Sequence, residues 1–549
     1  MRRYISLGAI AVFLILFFFL PLGIVFFRGV FAGEFPLSKV AAVLSSAYFL
    51  RIIGFTFFQA AVSACFALVL GLPGAFLVSR TTGRLKSVLN ALATVPFILP
   101  AILVVLGFII FFGNNGILNR ALMSLTGSSS PPLRILYNFG AIILAHGFYN
   151  FPVVLRTVSG VWETVPVQER FAARALGAGK FREFRTVVLP RLLPPIAAAW
   201  FLSFLFCYLS FAIILVLAGG PQFTTMEVEI YRLTVTAVNI EEAAALGAVQ
   251  VVLTASMMWV FTRFSSGGSQ VAPERIQLAP PEKSSSRLLK TGLVIYVIFA
   301  FLVVGGPILS VVIRSFQEPA TRAGDMLFTL RWYRELFTSS GNSLEAMANT
   351  FLYAVSTAIV SLLLGILLAQ IILQREKGHR LIESLSMMPL GVSSVVLGLG
   401  YLFIIRFFPE TLFSPLLVIA AHTVIAYPFV LGTVKTYLLK IPANLNHAAG
   451  LLGASPWRIF RTIEFPLIQP GIAAAGSFAF AISAGEMNAT IMFNSAGVVT
   501  MPLVIYRYVG AYNYFGACAM GVILIILSAG AFFGADYFST RGRQYVSAA

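Results

Sequence analysis

Long runs of apolar residues recur along this chain, and each is long enough to cross the hydrocarbon core of a membrane as a helix. We count twelve such runs: 5–28, 52–78, 88–112, 137–160, 192–217, 243–263, 291–314, 348–373, 384–407, 414–437, 468–492 and 516–537. The first is followed by no small-residue cleavage site, so we expect a retained helix rather than a signal peptide. The pattern predicts an all-α, polytopic membrane protein with about 12 transmembrane helices.

The composition agrees with this prediction. Of the 549 residues, 59% are hydrophobic and 11% are charged, which leaves too little polar surface for a soluble protein of this size. The net charge of +18 would suit nucleic-acid binding, but basic inner loops of a membrane protein explain it more simply. The three cysteines lie in apolar runs and no two of the four histidines have metal-ligand spacing, so we expect neither a disulfide nor a metal site.

Lys and Arg are distributed unevenly between the loops, and this distribution sets the expected orientation. With the N-terminus inside, the inner segments of the first six spans hold 3, 7 and 5 basic residues, and the outer segments hold 1, 2 and 1. The inner segments are 79–87, 156–191 and 263–290, and the outer ones are 29–49, 113–135 and 218–242. We therefore predict that both termini are cytoplasmic.

The chain contains two similar halves joined by a polar segment. Residues 265–290 are rich in Ser, Gly and Pro, which predicts a cytoplasmic linker between a first six-span domain, 1–264, and a second, 291–549. The stretch "FRTVVLPRLLPPIAAA" from Phe184 matches "FRTIEFPLIQPGIAAA" from Phe460 at an offset of 276 residues. Six spans return the chain to its starting side, so the halves run in the same direction and the translocation path is expected between them.

The segment from Phe171 to Ala199 is basic and rich in small residues, unlike the spans around it. Ala172, Ala173 and Gly177 are spaced to lie on one face of a short helix, where small side chains let another protein approach closely. A second amphipathic stretch follows, and three prolines are expected to end it before the fifth span: Pro190, Pro194 and Pro195. One copy would fit an ordinary basic loop, but two copies in one register favour docking of a cytosolic partner.

This repeated segment resembles the EAA loop of binding-protein-dependent ABC importers, whose pattern is E-A-A, three residues, G, nine residues and then I-x-L-P. The matching positions are Ala172, Ala173, Gly177, Leu189 and Pro190 in the first copy and Ala448, Ala449, Gly453, Phe465 and Pro466 in the second. The glutamate position departs from the pattern, because it holds Phe171 and His447. The resemblance covers nearly the whole chain and implies a fused double permease of the thiamine and iron(III) importer group.

The resemblance also implies the partners and the mechanism. Two copies of a cytosolic ATPase would dock on the loops, and an extracytoplasmic binding protein would deliver the cargo. In a bacterial inner membrane, the cavity between the halves would open alternately to the outside and to the cytoplasm. "GAGKF" at Gly177 lacks the Ser or Thr that follows the lysine of a phosphate-binding loop. We therefore expect ATP and Mg²⁺ on a separate chain, with no cofactor, no nucleic acid and no enzyme activity here.

A secondary transporter is the alternative transport class. "SRTTGRLK" at 79–86 faintly resembles the basic loop of major-facilitator transporters, but it lacks the acidic residue of that motif. An intramembrane enzyme is also disfavoured, because His146 and His422 are repeat-related and suit structural roles near a proline kink.

Glu486 stands inside an otherwise apolar run, "AISAGEMNATIMF". A charge at membrane depth costs about 3 kcal/mol on insertion scales, so such residues usually face inward and are functional. Ser210 occupies the matching place in the first half. We expect Glu486, Asn488, Thr490 and Ser210 to line the substrate path. The alternative for Glu486 is a structural carboxylate that is hydrogen-bonded to a neighbouring helix or lies close to the outer interface.

The pattern T-M-x-x-x-I-Y-R follows both fifth spans and predicts short outer-face helices that receive the binding protein. The candidate contacts are Thr225, Tyr231, Arg232, Thr500, Tyr506 and Arg507. The run from Gly219 to Tyr231 is similar to thiamine permeases, whereas "GE-x-NAT" at Gly485 looks closer to the iron(III) group. The longer run favours thiamine, and a cationic cargo suits Glu486 in either case.

Overall fold

The structure is a computed structural model, and it describes all residues except 1, 32, 34, 82–83, 94–95, 97–98, 219, 266–286, 320–325, 339–341, 375–377, 408–409, 493–497 and 548–549. The expected linker at 265–290 therefore falls almost entirely outside the described residues. In the first half the α-helices are Arg2–Leu14, Leu20–Phe31, Ser38–Ser45, Ala47–Arg80, Arg84–Leu92, Ala101–Phe112, Ile117–Thr126, Phe139–Trp162, Val167–Ala175, Lys180–Glu183, Leu189–Tyr208, Ala212–Leu217, Met226–Tyr231 and Ile240–Ser265.

The second half follows a similar order, but Ile117–Thr126 and Ala212–Leu217 have no counterpart among its described helices. Its α-helices are Arg287–Ala300, Gly306–Ser315, Arg331–Thr338, Ser343–Leu373, His379–Met387, Ser394–Ile405, Glu410–Leu438, Ala443–Leu451, Pro456–Ile459, Phe465–Gly485, Met501–Gly510 and Tyr514–Ser547. A short antiparallel pair of strands, Gln317–Pro319 and Met326–Phe328, precedes the helix that starts at Arg331. Five π-helical turns interrupt or join the longer helices: Ile15–Phe19, Phe184–Val188, Arg232–Thr236, Phe301–Gly305 and Phe460–Glu464.

Eleven helices among the described residues are long and apolar enough to cross a membrane, and a bent pair brings the number to 12. The bent pair is His379–Gly391 with Ser394–Ile405, at 93° to each other. The predicted all-α polytopic fold with about 12 spans is confirmed. The span predicted at 384–407 corresponds to this bent pair, which bends because Pro389 lies in a 3-10 turn and Ser393 begins a new helix.

Two further span boundaries differ from the prediction. The run at 88–112 does not form one helix, because Pro100 precedes the first residue of Ala101–Phe112 and lacks the N–H that would continue a helix before it. The fifth run was expected at 192–217, but its helix starts at Leu189 and ends at Tyr208, and a separate helix covers Ala212–Leu217.

Within each half, the second and fourth spans pack closely at a glycine. A Cβ on Gly71 would lie 2.6 Å from the Cβ of Val154, and a Cβ on Gly365 would lie 2.6 Å from a methyl group of Val430. These contacts occupy equivalent places in the two halves. They are consistent with two structural repeats of the same design.

The first span of each half packs against the other half. The helix Leu20–Phe31 lies against Ser394–Ile405, and Gly306–Ser315 lies against Ala101–Phe112. The halves are therefore interlocked. The translocation path expected between them is bounded by helices from both.

Candidate functional site

The repeated basic segment forms a short helix, a tight turn and a second helix. In the first copy, the helix Val167–Ala175 is followed by Gly177 with φ of +83°. The N–H of Gly177 donates to the carbonyl of Arg174 (2.9 Å), and that of Ala178 donates to the carbonyl of Ala173 (3.0 Å). This pair of bonds closes the helix end and requires a left-handed residue, which glycine provides without strain.

The second copy has the same turn. The helix Ala443–Leu451 is followed by Gly453 with φ of +80°, whose N–H donates to the carbonyl of Gly450 (3.0 Å). The N–H of Ala454 donates to the carbonyl of Ala449 (3.0 Å). The predicted glycines and second alanines of both motifs thus build the turn, and the first alanines, Ala172 and Ala448, are exposed.

Large apolar side chains project from both turns. Leu176 and Leu452, at the same position of the two copies, are each 89% exposed. Phe181 and Trp457 are also equivalent and are 77% and 61% exposed. Exposed apolar side chains grouped on a short surface segment are typical of a protein–protein contact. Each loop therefore presents an apolar tip, which we call the coupling tip and define as Leu176 with Phe181, and Leu452 with Trp457.

Different polar contacts hold the two loops. In the first, Glu183 is buried and accepts from Arg170 Nε and Arg174 Nε, both at 2.6 Å. In the second, Glu464 accepts from Asn446 Nδ2 at 2.8 Å. Glu464 Oε2 also accepts from Gln370 Nε2 at 3.4 Å, so the first loop is braced by a charge cluster and the second by two neutral amides.

Both loops run into the fifth span through a π-turn. The turn Phe184–Val188 leads into Leu189–Tyr208, and Phe460–Glu464 leads into Phe465–Gly485. The expectation that prolines end the second loop helix is wrong, because the helix continues through Pro194. A π-turn ahead of the prolines changes the hydrogen-bond register, which relieves the missing N–H. The motif positions Leu189, Pro190, Phe465 and Pro466 lie in the first turn of these helices.

The two T-M-x-x-x-I-Y-R segments form the predicted short helices, Met226–Tyr231 and Met501–Gly510. The N–H of Met226 donates to Thr56 Oγ1 (3.0 Å), and that of Met501 donates to Thr350 Oγ1 (2.9 Å). A threonine of the second span thus anchors each helix start. Tyr231 of the first helix and Tyr506 of the second line the same cavity between the halves.

The six candidate docking residues differ in accessibility. Thr225 and Thr500 precede the short helices and are buried, so their side chains face the bundle. Tyr231 and Tyr506 are half-buried beside a cavity of about 490 Å³. Arg232 and Arg507 are the exposed members of the set, and Arg232 Nη2 pairs with Glu229 Oε1 at 2.6 Å.

Glu486 is buried, and its hydrogen bonds come from its own half. Its Oε1 accepts the N–H of Ala489 (2.9 Å), and its Oε2 accepts the N–H and hydroxyl of Thr490 (3.2 and 3.0 Å). His422 Nε2 lies 3.4 Å from Oε2. This carboxylate caps the turn after Phe465–Gly485, and its expected place in the substrate path stays a prediction.

The other path candidates lie at the breaks that follow the fifth-span helices Leu189–Tyr208 and Phe465–Gly485. Thr490 is fully buried and bonded to Glu486 and to His422 Nε2, at 2.8 Å from the latter. Asn488 is half-buried in the intervening turn. Ser210 is half-buried at the break after Tyr208. Their role in a substrate path stays a prediction.

A second buried carboxylate, Glu227, joins the two halves. It is 1% exposed. Its Oε1 accepts Gln250 Nε2 (2.7 Å) from its own half, and its Oε2 accepts the hydroxyl of Ser393 (2.6 Å) from the other. The Ser393 oxygen accepts the N–H of Val396 (3.0 Å) and so begins the helix Ser394–Ile405. The sequence analysis did not predict a role for Glu227. The feature that could have indicated one is that an acidic residue occupies the position where the second copy has Pro502.

Comparison with known proteins identifies the family. Residues 67–267 and 361–544 match the family described as binding-protein-dependent transport system inner membrane component. This chain belongs to that family. The two matched segments fall in the two halves, and the permease therefore carries the family's domain twice. By its description, the family comprises inner-membrane components of transport systems that depend on a binding protein.

Several relatives cover most of the permease. The thiamine transport system permease protein ThiP of Brucella abortus (strain 2308) is 26% identical over 497 residues, 89% of this chain and 87% of the relative. ThiP of Escherichia coli (strain K12) is 27% identical over 513 residues, 90% and 89%. The ferric transport system permease protein FbpB of Actinobacillus pleuropneumoniae is 22% identical over 538 residues, 96% and 77%. The predicted resemblance to a fused double permease of this group is confirmed.

Proposed function

We propose that the permease carries thiamine inward, as the membrane subunit of an importer driven by two copies of a separate ATPase. Relatives named thiamine permeases align over nearly the whole chain at 26–27% identity, against 22% for the ferric permease. The cargo of this chain is inferred from those names. The ferric cargo is the second candidate.

The equivalent coupling tips are the observation that carries the proposal of two ATPase copies. Leu176 and Leu452 have the same exposure and follow the same glycine-closed turn. Two identical subunits need two equivalent contact points, and the repeat supplies them. The different hydrogen bonds of Glu183 and Glu464 do not involve the side chains of the coupling tips, so both tips stay exposed.

A continuous packed route leads from the first loop to the contact between the halves. The helix Leu189–Tyr208 starts at the π-turn of the loop. At its far end, the hydroxyl of Tyr208 donates to Met226 Sδ (3.4 Å), in the short helix that carries Glu227 and Tyr231. Movement of the loop would shift this helix against the second half, which is what alternating access requires.

The orientation belongs to the proposal as well. The Lys and Arg bias places both coupling tips and both termini on the cytoplasmic side of a bacterial inner membrane. The short helices at Met226 and Met501 then lie toward the outside, with Arg232 and Arg507 available to a binding protein.

Growth of a thiamine auxotroph that lacks its own importer tests the cargo. The permease is expressed with its ATPase and binding protein, and growth is followed at limiting thiamine. We expect cells with the unsubstituted permease to grow and cells with the Leu176→Glu/Leu452→Glu double variant not to grow. Rescue of an iron-uptake mutant, with no rescue of the thiamine auxotroph, would overturn thiamine in favour of the ferric candidate.

A further inference from the structure

Glu227 differs from every other buried carboxylate described above in the origin of its hydrogen bonds. One oxygen is held by Gln250 of its own half and the other by Ser393 of the opposite half. No Lys, Arg or His among the described residues forms an ion pair with it. A carboxylate in that position depends on hydroxyl and amide donors alone, and one of those donors belongs to the moving partner.

Symmetry shows that the fold does not require this polar contact. Pro502 occupies the place of Glu227 in the second copy, and Pro100 precedes its helix as Ser393 does in the other half. A Cβ on Gly485 would lie 2.9 Å from the Pro100 ring. The second half therefore packs tightly against Pro100 without a polar pair. At the equivalent interface the helix Met501–Gly510 lies against Ala101–Phe112, with Pro502 and Pro100 at the positions that Glu227 and Ser393 hold in the other interface.

The contact also lies where the halves must separate. Glu227 and Tyr231 are four residues apart on one helix and share a face. Tyr231 lines a cavity that its repeat equivalent in the other half, Tyr506, also lines. Movement of Met226–Tyr231 along the route described above would draw Glu227 away from Ser393, and one oxygen of Glu227 would then lose its donor and face the opening.

We propose that Glu227 is the carboxylate that a cationic cargo meets between the halves, and that Ser393 holds it while the halves are together. This inference rests on the proposed function, since it needs a cation as cargo. In a poorly hydrated opening, a carboxylate attracts a cation more strongly than in water. One carboxylate suits a monovalent organic cation such as a thiazolium, whereas a hard metal ion takes several oxygen ligands.

Glu486 is the internal comparison. Its oxygens accept from Ala489 and Thr490, which stay with it when the halves move. Opening the interface therefore frees Glu227 and leaves Glu486 bonded. The same substitution, Glu to Gln, removes the charge and keeps the size of the side chain. Applied to each residue in turn, it distinguishes the role of Glu227 from that of Glu486.

The test is thiamine uptake into proteoliposomes that contain the permease, its ATPase and the thiamine-loaded binding protein. Uptake and ATP hydrolysis are measured together and normalised to correctly folded complex. For Glu227→Gln we expect about a tenfold fall in thiamine imported per ATP hydrolysed, with hydrolysis unchanged, because the attraction inside the opening is lost. Glu227→Asp keeps the charge and should recover part of the loss, whereas Glu486→Gln should leave the ratio unchanged.

Three results would overturn the proposal: an unchanged ratio in Glu227→Gln, a parallel fall of uptake and hydrolysis, or an equal loss in Glu227→Asp. A parallel fall would make Glu227 a structural residue of the interface. Uptake by the unsubstituted permease tests the proposed cargo, and the ratio of variant to unsubstituted uptake tests Glu227. Failure of one is therefore distinguished from failure of the other.

Discussion

Pro21 of the first half lies directly against Gly400 of the second. A Cβ on Gly400 would come within 2.5 Å of the Pro21 carbonyl oxygen, closer than any side chain can sit. The reverse contact exists between Pro307 and Gly107, where a Cβ would lie 2.9 Å from the Pro307 carbonyl oxygen. The absence of a side chain at two equivalent glycines thus lets the first span of each half lock against the other half.

Substituting Gly400 with Ala should loosen this lock. The added methyl group would push the helices apart at a cost of about 1–3 kcal/mol, the range for overpacked sites. We expect a lower midpoint of thermal unfolding for the solubilised protein. Gly432→Ala is the matched control, since a Cβ there meets nothing within 4 Å and should leave the midpoint unchanged or raise it. An unshifted midpoint in Gly400→Ala would show that the contact does not stabilise the assembly.

Charging the coupling tips should release the ATPase. Leu176→Glu and Leu452→Glu each place a carboxylate on an apolar contact, and we expect each to weaken association about tenfold, or 1.4 kcal/mol. The measurement is co-purification of the ATPase with the permease. Leu125 is 82% exposed in the separate helix Ile117–Thr126, so Leu125→Glu controls for the added charge. Full association of both tip variants would rule out these side chains as contacts.

The charge cluster behind the first tip should make that loop the more rigid of the two. Glu183→Gln leaves Arg170 and Arg174 facing a neutral amide, whereas Glu464→Gln still offers an acceptor to Asn446. We expect limited proteolysis of the first loop to become roughly fivefold faster in Glu183→Gln, equivalent to about 1 kcal/mol. The second loop should change less in Glu464→Gln. Equal or reversed effects would show that the two loops are held alike.

Removing the charge of Glu486 should affect folding rather than transport. Glu486→Gln weakens the bonds from Ala489 and Thr490, worth about 1.5–3 kcal/mol when the acceptor is charged. We expect less folded permease in the membrane and a normal uptake rate for each folded molecule. Fluorescence-detected size exclusion gives the folded amount. A normal folded amount with a reduced rate would instead favour the path role that we considered from the sequence.

The spans and the repeat could be predicted because both depend on patterns of residues that are close together in the sequence. Apolar runs gave the membrane helices, and the motif shared by Gly177 and Gly453 located both coupling turns. The bend at Ser393 could not be predicted in this way. Both arms of the bent pair are apolar, so hydrophobicity alone does not distinguish a bent span from a straight one.

The contact between the halves was harder to predict. Glu227 and Ser393 are 166 residues apart in sequence, and no spacing or motif links them. Glu486 attracted attention because it interrupts an apolar run, whereas Glu227 lies in a polar segment that we expected at the outer surface. Only the packing of one half against the other shows that Glu227 is buried.

ATP-driven thiamine accumulation in reconstituted vesicles tests the central claim most directly. The permease, its ATPase and its binding protein are placed in proteoliposomes with ATP on the side of the coupling tips, and labelled thiamine is supplied with the binding protein on the other side. We predict that thiamine accumulates inside the vesicles above its external concentration. This accumulation should require ATP hydrolysis and should be absent in the Leu176→Glu/Leu452→Glu variant. Iron accumulation without thiamine accumulation, or thiamine equilibration that is independent of ATP, would contradict the account.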